Sequence, residues 1–342
     1  MANHVLRGLK DAAKRITHAA GGFHAYHAIR NERALTVLCF HRVLPPSDPR
    51  AEDADPEWSI SVDAFADCVA FARKHFNVVS LDELLDARRR GHELPPRPLL
   101  LTFDDGWADN AQHALPVLEA KKTPAVIFVA GDAVGMDAPF WRENLRAALR
   151  GGRLDAEIWC ALWEQVELPS AEKSEATLED LLGHLFKLGR TKRDAALAPW
   201  RARLDDGHRH MMTVEELKNV ASREIAIGAH GRTHEPLSLC EDLDDELAQP
   251  RTRLEGLLDV PVTTLALPHS RFTPEVLKRA RRAGYEMVFT GAPELTPTRV
   301  IPFTVGRLPI TPGVLSDESG RFRPERLALH LFRRPHLNAW AP

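Results

Sequence analysis

Cysteine is scarce and scattered: Cys39, Cys68, Cys160 and Cys240 are the only four in 342 residues. None forms a C-x-x-C pair, so the spacing suggests neither a zinc knuckle nor a disulfide framework, and reduced, mostly buried thiols are the expectation. Long apolar runs are missing too. None approaches the ~20 residues of a membrane-spanning helix. The opening stretch MANHVLRGLKDAAKRITHAAGG lacks the continuous apolar core of a secretory signal, which points to a cytoplasmic protein. Nor does one sign of charge dominate: 45 Lys and Arg face 48 Asp and Glu, so no nucleic-acid partner is expected, since that needs a concentrated basic face. Internal repeats and low-complexity tracts are absent.

What is present is ordinary globular composition, 44% hydrophobic and 27% charged, in a chain long enough to bury its core without covalent staples. Near the start, Leu6, Leu9, Ala13 and Ile16 fall at helical spacing among Arg7, Lys10, Lys14 and Arg15. That pattern suits a helix packed on its own domain, the commoner case, or a peripheral membrane contact through residues 1–20. Nothing in the pattern indicates an oligomeric state.

Residues 35–40 (LTVLCF), 98–103 (PLLLTF) and 125–130 (AVIFVA) are short continuous apolar runs, the signature of parallel strands buried on both faces. Helical periodicity separates them, over 61–76, over LDELLDARRRG with Ser80 as N-cap and Gly91 as stop, and over about 108–122. This alternation predicts a parallel sheet with right-handed crossovers. It breaks over 140–212, where WRENLRAALRGG, AEIWCALWEQV and LEDLLGHLFKLG are all helical in period. We read that stretch as a helical insertion, with Trp141, Trp159 and Trp163 as core rather than ligand contacts. The rhythm then resumes. A helix opens on a Thr213/Glu216 capping box, and a strand covers 224–230. A helix (DDELAQPRTRLEGLL) is interrupted at Pro250, and a strand covers 263–268. A helix runs from Pro274 to Gly284, a strand covers 287–291, and FTVGRLPI makes a last strand.

Three polar clusters lie just past the C-terminal ends of expected strands, the ends that converge on the active-site face of a parallel barrel. They are Asp104-Asp105-Gly106, residues 230–234 (HGRTH) and Pro268-His269. Adjacent residues leaving a strand point in different directions, so one carboxylate can bind a metal while its neighbour faces the reacting water. Asp-Asp-Gly is, however, more often a simple capped turn. His230 and His234, four apart, project from one face of a helical turn and could give two nitrogens to one ion; two unrelated histidines would look the same. With Asp105 they make a two-His-one-carboxylate set suited to zinc, iron or cobalt.

The segment LLLTFDDGWADNAQHALPVLEAKKTPAVIFV closely resembles the first motif of polysaccharide deacetylases, the NodB-homology group of carbohydrate esterases. IGAHGRTHEPLS resembles their His-(Ser/Thr)-x-x-His motif, with Gly231 at the hydroxyl position. TTLALPHSRFTPEVLKRARRAGYEMVFTG resembles the third region, and LTVLCFHRV looks like the YHxV stretch found upstream in many members. The likeness is collinear from about residue 35 to 310, the insertion excepted. It implies an α/β fold, a distorted, incomplete (β/α) barrel of about seven parallel strands. On that basis 35–139 and 213–312 form the barrel, 140–212 the insertion, 1–34 an N-terminal helical extension and 313–342 a C-terminal extension.

The resemblance also implies an activity: hydrolysis of an N-acetyl, or less readily an O-acetyl, group on a sugar, oligosaccharide or glycan intermediate. Asp105, His230 and His234 would hold a divalent metal, zinc before cobalt, nickel, iron or manganese. Asp104 would be the general base toward metal-activated water. The backbone N–H of His269, after Pro268, would stabilise the oxyanion. The chain departs from the pattern at two places. Leu265-Ala266-Leu267 precede Pro268 where many members have an arginine that steers the catalytic Asp, and Leu329-His330 is no clean Leu-x-His, the usual source of the acid. His41 is the preferred replacement acid, against the reading of a strand-end cap without chemistry. Arg307 either orients a carboxylate in the pocket or makes a surface ion pair. Three alternatives stay open: a deformylase or other amide hydrolase on the same site, a non-catalytic glycan-binding barrel, and a partner-docking role for the insertion.

Overall fold

The computed structural model describes residues 16–332, except 18 and 241. The Leu6–Ile16 pattern therefore lies almost wholly outside the described residues. The chain divides into two compact units. One contains the described residues of 1–44, 57–135 and 212–342, and the other 45–56 and 136–211.

Among its described residues the first unit holds twelve strands: β1 (Ala34–Phe40), β2 (Arg42–Val43), β3 (Ser59–Ile60), β4 (Asn77–Val78), β5 (Pro98–Phe103), β6 (Ala125–Val129), β7 (Ile225–Ala229), β8 (Thr264–Ala266), β9 (Met287–Phe289), β10 (Thr296–Pro297), β11 (Thr304–Val305) and β12 (Leu308–Pro309). The main sheet runs β1-β5-β6-β7-β8-β9-β11, every neighbouring pair parallel. β12 pairs in parallel with β1 at the other end of that order, which nearly closes the sheet into a barrel. Strands buried on both faces need apolar residues throughout, and every residue of β5 and β6 is buried.

The single last strand expected over FTVGRLPI is broken in two. A side chain at Gly306 would put its Cβ 2.6 Å from the Ala292 carbonyl oxygen, and the Arg307 N–H donates to that same oxygen at 2.9 Å. The backbone thus bends tightly past Ala292, leaving β9 for β1, and Arg307 sits at the barrel seam.

Alternation along the strands sorts the interior. Leu35, Val37, Leu100, Val126, Phe128, Ala266, Phe289 and Val305 share one core with Leu81, Leu84 and Leu85 of the helix Leu81–Arg90. The next inward positions toward the strands' C-terminal ends are Cys39 on β1 with His41 just past it, Thr102 on β5 with Asp104 just past it, and Arg307 after β11. The barrel interior is therefore apolar below and polar at its mouth. The opposite faces pack against the surrounding helices through Phe65, Cys68, Leu118, Leu217 and Val276.

Pro250 does not interrupt its helix, which runs unbroken over Leu243–Leu258. Proline removes one ladder hydrogen bond, and here the turn has other support. Its buried ring fits against Gly131, where any Cβ would lie 2.8 Å from the Pro250 Cβ, and the Tyr285 hydroxyl donates to the Leu247 carbonyl at 2.8 Å. The helix expected over 108–122 contains a π turn, Asn110–Ala114.

The second unit is helical: Trp141–Arg150, Ala156–Gln165, Glu175–Lys187, Arg190–Leu197 and Arg201–Leu204. Leu145, Ile158, Trp159, Leu162, Trp163, Leu178 and Leu182 form its core. The buried Arg193 guanidinium lies 4.5 Å from the Trp141 ring centroid, which accounts for one charge inside it. Within this unit Asp53 pairs with Arg153 at 2.8 Å. No helix among the described residues is long and apolar enough to cross a membrane.

Candidate active site

The mouth of the barrel gathers two donor groups from residues far apart in sequence. Asp105, His230 and His234 form one, and Cys39, His41 and Asp104 the other. The ligand atoms within each group lie within 4.8 Å of one another.

In the first group, Asp105 Oδ1 is 3.1 Å from His234 Nε2 and 3.4 Å from His230 Nε2. Its other oxygen accepts from Trp107 Nε1 at 2.8 Å. His230 Nδ1 donates to the Ala266 carbonyl at 3.0 Å, which turns Nε2 toward Asp105. Asp105 Oδ1 is buried and makes no hydrogen bond of acceptable geometry among the described residues. Two imidazole nitrogens and a buried carboxylate oxygen converge on one point, close enough to share a proton or to hold a divalent cation between them. The donor set therefore fits a divalent ion of the zinc type, with the Ala266 carbonyl and Trp107 orienting two of the donors. Burial pushes the Asp105 pKa up, but His234 and His230 more than offset this, and it ends well below the usual carboxylate range.

The two histidines do not share a helical turn, as their spacing had suggested. His230 follows β7, and residues 231–236 are irregular. Gly231, at φ 68°, turns the chain, and a side chain there would press its Cβ to 3.2 Å from the Pro268 ring. His234, at φ 62°, completes the return, leaving the imidazole centroids 5.2 Å apart. Asp105 is also left-handed, at φ 79°. Strain of this kind persists only where surrounding contacts dictate it, and it concentrates at functional sites.

In the second group, Arg307 grips Asp104 with a two-pronged pair, Nη1 to Oδ1 at 2.6 Å and Nη2 to Oδ2 at 2.7 Å. Arg307 is 2% exposed and Asp104 3%, which excludes a surface ion pair. Burial alone would raise the Asp104 pKa. The Arg307 guanidinium and His230 outweigh it, and Asp104 stays an anion below the ordinary range. Cys39 Sγ donates to Asp104 Oδ2 at 3.5 Å. Cys39 escaped notice in the sequence, although the alternation Leu35, Val37, Cys39, His41 places it on the inward face.

The His41 ring lies 4.6 Å from the ring of Trp58, with Nδ1 buried and without a hydrogen-bond partner among the described residues. Burial lowers its pKa against the opposing pull of Asp105 and Asp104, so its imidazole is neutral at neutral pH. Pro268 and His269 open a tight turn, Pro268–Ser270, with His269 at φ 54°. The His269 ring lies 4.7 Å from that of His234, and its Nε2 is 3.1 Å from the His234 carbonyl. His330 lies on the helix Pro324–Phe332, its Nε2 3.1 Å from the Pro309 carbonyl.

Residues 91–288, more than half of the chain, match the family described as polysaccharide deacetylase. Over 137 residues, 40% of this chain, the sequence is 29% identical to the poly-β-1,6-N-acetyl-D-glucosamine N-deacetylase of Escherichia coli K12, covering 19% of that protein. It is 21% identical over 226 residues, 66% of this chain, to Bacillus subtilis YxkH, a protein named for the polysaccharide deacetylase class. The chain spans only 55% of YxkH, about half its length. Among solved structures the fold is similar to IcaB from Ammonifex degensii (TM-score 0.56, 22% identity, 88% of this chain and 98% of that one). It is similar to the same degree to the Streptococcus pyogenes deacetylase PplD in complex with acetate (TM-score 0.56, 15% identity, 87% and 98%). The matched segment contains Asp104, Asp105, His230 and His234, and this chain belongs to the polysaccharide deacetylase family.

Proposed function

We propose that this protein is a divalent-cation-dependent deacetylase that removes N-acetyl groups from a glycan, with Asp105, His230 and His234 as cation ligands. The observation that carries this reading is the division of labour between adjacent carboxylates. Asp105 lies 3.1 and 3.4 Å from two imidazole nitrogens, while Asp104 is gripped by Arg307 at 2.6 Å and lies farther, 3.9 Å, from His230 Nε2. A bound cation, zinc before cobalt, nickel, iron or manganese, supplies Lewis acidity toward the acyl oxygen and makes water more acidic.

Asp104 takes the proton of the attacking water. Arg307 holds both of its oxygens and fixes their direction, standing in for the arginine missing before Pro268. His41 is neutral in the free protein, so the proton it delivers is the one Asp104 took from water, handed on between two groups whose donor atoms lie within 4.8 Å of each other. The neighbouring Asp104 and Asp105 favour that protonated form. It then protonates the departing amine. The backbone N–H of His269 is the proposed oxyanion donor; one such donor is worth ~3 kcal/mol in the transition state. The relatives' names make N-acetylglucosamine polymers the first substrates to try.

The test is product analysis on β-1,6-linked N-acetylglucosamine oligomers. Acetate and free amine are expected to appear in equal amounts, to cease after removal of the metal by a chelator, and to return with added zinc or cobalt. Formate release from N-formyl sugars in place of acetate would make it a deformylase. No hydrolysis by metal-replete protein of N-acetyl, O-acetyl or N-formyl sugars would refute the reading and favour a glycan-binding barrel.

A further inference from the structure

We infer that Arg42, Asp109 and Asn110 form a buried clamp whose role is to aim His41; they are positioning residues for the acid step. The inference rests on the reading of His41 as acid. Three successive residues after β1 are gripped by two successive residues of the helix that follows β5. The His41 carbonyl accepts from Asn110 Nδ2 at 2.8 Å. Arg42 Nε donates to Asp109 Oδ2 at 2.9 Å, and the Val43 N–H donates to Asp109 Oδ1 at 2.9 Å. Asn110 Nδ2 also lies 3.3 Å from Asp109 Oδ1, tying the two gripping side chains together.

Each member is sealed from solvent: Arg42 is 6% exposed, Asp109 and Asn110 0%. Neighbouring side chains on a regular helix diverge. Here Asn110 opens the π turn Asn110–Ala114, the kind of widened turn that recurs at functional sites. The clamp also reaches the proposed cation site. The Arg42 guanidinium lies 4.5 Å from the Trp107 ring centroid, and Trp107 Nε1 donates to Asp105. A buried ion pair is a poor stabiliser compared with apolar packing. Its placement directly behind the acid, in register with Asp105, gives it a different use: fixing His41 relative to the point where the amine departs.

The chemistry provides a readout that mere structural support would not move. When the C–N bond of an amide breaks, its electron pair goes to nitrogen, which takes a proton from His41. When 4-nitrophenyl acetate is cleaved, the phenolate departs as an anion and takes none. Zinc-loaded wild type, Asn110→Ala, Arg42→Lys, His41→Ala and the His41→Ala/Asn110→Ala double variant would be compared on an N-acetylglucosamine oligomer and on this ester, with bound zinc measured in each.

Asn110→Ala is expected to lower kcat on the oligomer by about tenfold or more beyond any loss on the ester, and Arg42→Lys to act in the same sense. On the His41→Ala background, Asn110→Ala should change the oligomer-to-ester ratio by no more than about twofold, since both act through one group. Equal losses on both substrates from Asn110→Ala and Arg42→Lys would overturn the clamp, as would a further selective loss on the His41→Ala background. If Asn110→Ala does not fold, Arg42→Lys decides alone. If His41→Ala shows no selectivity, the acid assignment fails and the clamp falls with it. Selective loss in His41→Ala but in neither clamp variant would keep the acid and refute the clamp.

Discussion

Replacing Asp104 by asparagine is expected to leave the cation in place and lower kcat by about 10²–10⁴-fold, the range a positioned general base contributes. The substitution keeps the shape of the side chain and one oxygen for Arg307, but removes the charge that makes it a proton acceptor. It has a second effect. Arg307 is 2% exposed and faces Asp104 through both forks. Stripping a buried pair of one charge costs on the order of 3 kcal/mol, because the remaining charge stays desolvated. Asp104→Asn should therefore melt at a lower temperature. Adding Arg307→Met should recover much of that stability without recovering turnover. Since Arg307 holds the Asp104 pKa down, the pair's stabilisation is present above the ordinary carboxylate range, about pH 4, and is lost as pH falls through the lower folded value. The asparagine variant should lack that loss. Turnover within about tenfold of wild type in metal-replete Asp104→Asn would remove Asp104 as the base.

The second large effect concerns Asp105. Without it only two imidazole nitrogens remain as ligands, a weaker site with no anionic donor to balance the charge of a divalent ion. Asp105 sits at φ 79°, a region alanine enters at a cost of roughly 1–2 kcal/mol and asparagine tolerates better. Asp105→Asn is therefore the cleaner variant, and its amide oxygen can still accept from Trp107. Zinc affinity, measured by competition with a chromophoric chelator, is expected to fall by about 100-fold or more. Changes to groups that only orient ligands already cost 10–100-fold. Turnover should fall in step with occupancy. Unchanged one-to-one zinc binding by Asp105→Asn would show that the cation is held elsewhere.

Much of the scaffold was legible from local chemistry. β1, β5 and β6 coincide with the apolar runs, because strands buried on both faces leave no room for polar alternation. Ser80 caps its helix as expected, adding a capping box with Glu83, and the Thr213/Glu216 capping box formed where its spacing put it. What escaped depends on contacts that no local pattern encodes. Arg307 meets Asp104 across 203 positions because the chain changes strand partners at Gly306. His230 and His234 converge through left-handed residues in a loop, which i, i+4 spacing alone would assign to a helix. Asp109 and Asn110 are polar residues of an expected helix to which the sequence assigned no role, yet both are fully buried. The inward alternation of β1 could have singled out Cys39 beside His41, and it remains the one unused signal at the site.

Anomalous diffraction from crystals of the cobalt-loaded protein tests the central claim most directly. The account predicts a single cobalt peak about 2.0–2.3 Å from Asp105 Oδ1, His230 Nε2 and His234 Nε2, with Asp104 still joined to Arg307 and outside the coordination sphere. A peak on Cys39, His41 and Asp104 instead, or a fully loaded crystal with cobalt bound away from both groups, would contradict it.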